Sequence, residues 1–147
     1  MIRILVTDAA IDVAAELDAL ERAGGGAVAS FTGLVRDDNG VEELFLEHYP
    51  GATEQALSDL AAEAVQRWSL AAAIVIHRVG AMKPGERIVF VGTASAHRAA
   101  ALEACAFLID RLKTDAPFWK RETRGQDARW VGERESDHDA AGRWKLS

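Results

Sequence analysis

The stretch that decides the fold runs from Ala72 to Thr114: AAIVIHRVGAMKPGERIVFVGTASAHRAAALEACAFLIDRLKT. It opens on an apolar run at residues 72–79, breaks at the turn Lys83-Pro84-Gly85-Glu86, and resumes as a second apolar run at 87–93. Proline presets one turn dihedral and glycine accepts the left-handed one, so two strands around a turn are predicted. From about residue 96 to 114 the pattern becomes helical, with Ser95 as the expected N-cap.

Working outward, residues 2–6 read as a first strand. Asp8 is the expected N-cap of a helix carrying Val13, Leu17 and Leu20 at helical spacing, which Gly24-Gly25-Gly26 ends. Residues 27–35 and 41–49 read as strands joined by the polar turn Arg36-Asp37-Asp38-Asn39-Gly40. After Pro50-Gly51 a second helix presents Leu57, Leu60, Ala61, Ala64, Val65 and Trp68 on one face. Pro117 separates the third helix from a short extended segment at 118–122. A charged tail, solvated or ordered by a partner, is expected from about residue 133. No repeat or linker divides the chain, so residues 1–147 are read as a single domain. Strand pairs mixed with helices predict an α+β fold with largely antiparallel sheet.

Composition narrows the function classes. The chain is 49% hydrophobic and 27% charged, with ordinary globular balance. Its net charge of −6 argues against a nucleic-acid binder. No apolar stretch approaches the roughly 20 residues needed to span a bilayer, and the amino terminus lacks signal-peptide features. One cysteine permits neither an internal disulfide nor a cysteine metal cluster, and a cytoplasmic location is expected. His48, His77 and His138 show no metal-ligand spacing, so no metal is expected. Gly24-Gly25-Gly26 lacks the Lys-Ser/Thr pair of a phosphate loop.

Cations nevertheless cluster locally, which points to a small anionic ligand. His97 and Arg98 fall in the first turn of the third helix, where the dipole disfavours positive charge. Either they form an anion site with the free helix amides, or they are simply solvated. Lys113 continues the stripe Leu102-Ala106-Ile109. A lysine on an apolar face is partly desolvated and suited to proton transfer or nucleophilic attack; otherwise it snorkels to water. In the extended segment, alternation puts Phe118 and Lys120 on one face and Trp119 on the other, with Arg121 and Glu122 completing an ionic group. Charge protecting an edge strand is the competing account. Arg36 is equally compatible with an arginine that solvates its turn. Cys105, mid-helix among apolar residues, reads as core.

The order of these motifs is more informative than any one of them. Phe31-Thr32-Gly33-Leu34-Val35-Arg36, Leu46-Glu47-His48-Tyr49, Ile76-His77-Arg78-Val79-Gly80, Ser95-Ala96-His97-Arg98 and the run from Leu112 to Glu122 follow one another in this chain. Together they resemble the molybdopterin synthase catalytic subunit family over nearly the whole length. The resemblance implies an α/β hammerhead with additional antiparallel sheet. It implies a sulfurtransferase that converts cyclic pyranopterin monophosphate, a pterin phosphate, to molybdopterin without a cofactor of its own. Sulfur would come from the C-terminal glycine thiocarboxylate of a small ubiquitin-like carrier subunit, in a heterotetramer built on a homodimer of this chain. Carried over by position, Lys113 and Lys120 are the catalytic lysines. Leu34, Val35, Arg36, His97, Arg98, Lys120, Arg121 and Glu122 match substrate-contacting stretches, and Arg134 matches a further basic residue. Ile109 stands where some relatives have methionine. A buried Cys105 fits a division of labour in which sulfur is imported. The competing function is a non-catalytic phosphate- or nucleotide-binding module.

Overall fold

The computed structural model describes residues 1–131, Gly142 and Trp144. Eight strands and three helices follow in the order β1 (Ile2–Thr7), α1 (Val13–Arg22), β2 (Ala27–Leu34), β3 (Glu43–His48), α2 (Ala52–Trp68), β4 (Ala72–Arg78), β5 (Gly80–Met82), β6 (Arg87–Ser95), α3 (Arg98–Asp115), β7 (Phe118–Arg124) and β8 (Asp127–Val131). They form two four-stranded sheets, ordered β1-β4-β6-β2 and β5-β3-β7-β8. Among the described residues, only β1 and β4 pair in parallel. The expected α+β architecture with additional antiparallel sheet is what forms.

The first sheet is the core. Every residue of β4 is buried because helices cover both faces, which is why its sequence lacks polar alternation. Ala73 and Val75 meet α2 and α3 through Leu57, Ala61, Phe107 and Leu108. Ala72, Ile74 and Ile76 point the other way, onto Leu20 of α1. Gly92 in β6 lies directly beneath Leu20, so a side chain there would occupy the helix's place.

Three local readings are corrected. Asp12, not Asp8, caps α1, its Oδ1 accepting from the Ala15 amide at 3.1 Å. Asp8 instead lends its carbonyl to Arg78. Ser95 is the last residue of β6, buried and paired with Ala27, and His97 takes the N-cap position of α3. The backbone of Gly25-Gly26 runs so close to Ser95 and Ala96 that no Cβ fits, and this contact holds Ser95 in the sheet. Finally, β2 and β3 do not pair with each other. β2 lies on β6 in the first sheet, and β3 lies between β5 and β7 in the second.

The second sheet grows from the first at Val79-Gly80. Gly80 has φ +86°, and this turn sends the β4 chain into β5, against β3. A small core of Val35, Leu44, Leu46 and Met82 seals the junction. Trp144 packs against Trp68 and Phe107 on the outer side of the α2–α3 layer, its Nε1 donating to Asp110 at 2.6 Å.

Candidate active site

Where the second sheet meets the C-terminal end of α3, a cavity of about 480 Å³ opens. Lys113 enters it from the last turn of α3, and Lys120 and Glu122 from β7. Phe118 and Lys120 share the cavity side of β7, as strand alternation predicts. Leu46, Ile88, Val89 and Leu112 supply apolar wall, and Tyr49 and Trp119 meet edge to face, 6.0 Å apart, where both stay half exposed. Thr53 clamps the rim: its buried hydroxyl donates to the Pro117 carbonyl at 2.8 Å and accepts from the Tyr49 amide at 3.0 Å.

The stripe assigned to Lys113 does not hold. The face of α3 that packs inward is Ala101, Ala104, Cys105, Leu108 and Leu112, whereas Leu102 is 62% exposed and Lys113 is exposed as well. Ala101 and Ala104 share this core with the fully buried Phe107 and Leu108. Lys113 therefore reaches the cavity from its solvent side, and desolvation by an apolar stripe is not what sets it apart.

The group that motif reading passed over is His77. It continues the Ala73–Val75 side of β4, is 7% exposed, and lines the cavity. Its ring stacks on Phe118 with centroids 4.0 Å apart and planes 26° from parallel. Burial pushes its pKa down to about 4; the Arg78 carbonyl opposes this, and the charges of Lys113 and Lys120 reinforce it. The imidazole is thus neutral near pH 7, and the 2.9 Å contact of Nδ1 with the Arg78 carbonyl places its one proton there. The signal in the sequence was a polar ring that, with Arg78, interrupts a strand otherwise built of Ala, Ile and Val.

Of the remaining expected residues that the structure describes, only Glu122 also lines the cavity. Arg121 faces away from the cavity, stacked between Phe45 at 5.0 Å and Trp130 at 5.7 Å. Glu122 is paired with Arg124 at 2.7 Å. Val35 is buried in the second core, Leu34 is exposed, and Arg36 meets Asp38 at 3.6 Å on the surface. His97 and Arg98 are exposed at the far end of α3. The fifteen residues from Arg98 to Lys113 span about 22 Å of unbroken helix. Leu34 pairs with Arg87 and Ala27 with Ser95, so about 23 Å of paired strand also separates the Arg36 end of β2 from the His97 end. One chain cannot close all these cations on one phosphate. Arg134 lies outside the described residues.

Fold and cavity together define an α+β subunit with a lysine-bearing pocket and no reactive thiol inside it. The MoaE protein family model matches residues 6–115, and the chain belongs to that family. It is 54% identical to the molybdopterin synthase catalytic subunit of Pseudomonas aeruginosa, over 97% of this chain and 98% of that one. It is 55% identical to the Escherichia coli molybdopterin synthase catalytic subunit, over 84% and 85%. Among solved structures it resembles the molybdopterin biosynthesis MoaE protein from Burkholderia ambifaria, with a TM-score of 0.87, 43% identity and full coverage of both chains.

Proposed function

We propose that this chain carries out the sulfur-transfer step that turns cyclic pyranopterin monophosphate into molybdopterin, drawing sulfur from the C-terminal thiocarboxylate of a small carrier subunit. Its relatives are described as catalytic subunits of molybdopterin synthase, which supports both the reaction and a second kind of subunit. The observation that carries the reading is a division within the chain. Lys113 and Lys120 share one cavity, while the one cysteine is buried on the inner side of α3. Burial pushes the Cys105 thiol up to about 11, and a thiol that stays protonated at neutral pH is a poor sulfur carrier. Sulfur must then arrive from outside.

In this reading, one thiocarboxylate sulfur displaces a phosphate ester oxygen from a side-chain carbon of the pterin, a second replaces an oxygen on the neighbouring carbon that leaves as water, and each step leaves a carrier attached as a thioester. Water then cleaves that thioester and frees the carrier as a carboxylate. Negative charge develops on the ester oxygen and on the departing phosphate oxygen, and positioned ammonium groups stabilise both. His97 and Arg98, too distant to serve their own cavity, serve the cavity of a second copy of this chain in a two-fold dimer. A cytoplasmic location accords with the described residues, none of whose helices is long and apolar enough to cross a membrane. The test is transfer of isotopic label from carrier thiocarboxylate into a pterin dithiolene. Binding of the pterin phosphate without transfer of label would instead indicate a non-catalytic phosphate-binding module.

A further inference from the structure

His77 has one hydrogen-bond partner among the described residues, the Arg78 carbonyl at Nδ1. Its other nitrogen, Nε2, is a bare lone pair on a ring that lines the cavity. Nε2 is not one of the fully buried polar atoms without a partner, so it opens into the cavity rather than into packed protein. Stacking on Phe118 and the bond to Arg78 fix the ring at both ends, so the free nitrogen has a set direction. A carboxylate at this point would compete for the two nearby lysines, and a neutral acceptor does not.

We propose that His77 seats the pterin heterocycle: its Nε2 accepts a hydrogen bond from a ring N–H, and this turns the phosphate end of the substrate toward Lys113 and Lys120. The inference rests on the sulfur-transfer reading above. A lone pair repels phosphate oxygens and attracts N–H groups, while ammonium groups do the reverse. Acceptor at one point and cations at another therefore discriminate between the two ends of the same molecule. A flat ring system also suits a floor made of stacked rings better than the extended tail of a carrier does.

The experiment is steady-state dithiolene formation by wild-type, His77→Phe and His77→Gln protein, with pterin precursor and carrier varied separately. Phe keeps an aromatic ring to stack on Phe118, with slightly more bulk, and removes the nitrogens. We expect His77→Phe to raise KM for the precursor about tenfold or more, with KM for the carrier changed less than about twofold. His77→Gln returns an acceptor and recovers most of the loss. Calorimetric binding of the precursor without carrier should weaken by the same factor. A wild-type precursor KM in His77→Phe overturns the proposal, and so does an effect confined to the carrier KM or to kcat. If His77→Phe fails to fold, His77→Met against His77→Gln makes the same comparison. Wild-type protein that makes no dithiolene overturns the reading beneath; active wild type with an unaffected His77→Phe overturns this inference alone.

Discussion

The two ends of α3 carry cations under opposite conditions. At the C-terminal end Lys113 sits where the helix dipole welcomes positive charge, beside a walled cavity with Lys120 and a neutral His77. At the N-terminal end His97 and Arg98 sit where the dipole opposes them, exposed, with no acidic residue in the first turn. The first end is an assembled site. The second is a pair of cations that the helix dipole opposes, with no ion pair among the described residues. The difference fits the proposed arrangement, in which one chain builds the pocket and displays, on its other side, what completes a neighbour's.

The largest expected effect attacks the assembled end. Lys120→Ala should lower turnover by about 10² to 10³ while the circular dichroism spectrum stays native, the usual loss on removing one transition-state donor or proton-transfer group. Near-normal dithiolene formation with excess carrier would remove Lys120 from the reaction.

Next comes the pH dependence of that same end. The folded-state pKa of His77, about 4, lies below the ordinary 6.5, so the unfolded chain binds the proton more tightly. Its contribution leaves stability unaffected above pH 6.5 and erodes it as pH falls from 6.5 toward 4, by up to about 3 kcal/mol. Over that window the melting temperature of wild-type protein should fall more than that of His77→Phe. Parallel curves for the two proteins would show that the imidazole is not held neutral.

The smallest effect concerns the residue that takes no part. Cys105→Ala should retain turnover and lose on the order of 1 kcal/mol of stability in denaturant melts. A normally folded Cys105→Ala that cannot transfer sulfur would mean the chain carries sulfur itself.

How legible these regions were in the sequence follows from burial. β4, β6 and α2 pack against neighbours on defined faces, and their apolar patterns announced them. β8 did not announce itself: all five residues are exposed, so no face imposes a pattern. β5 is three residues long and depends on the left-handed Gly80, which reads locally as part of a loop. Lys120 and its pairing with Phe118 were legible because strand alternation is a local rule. The placement of Lys113 was not, because the inner seam of α3 is marked in part by alanines whose role appears only once the sheet is beneath them. His77 escaped for the related reason that its meaning lies in the cavity that β7 and α3 bring to it.

The central claim, that a pocket on one copy is completed by the far end of α3 from another, is tested most directly by mixing two inactive proteins, Arg98→Ala and Lys120→Ala. Random exchange of subunits makes half the dimers mixed, each with one intact pocket, so about a quarter of wild-type activity should return. A mixture shown by mass spectrometry to have exchanged subunits, yet still inactive, would contradict the shared site.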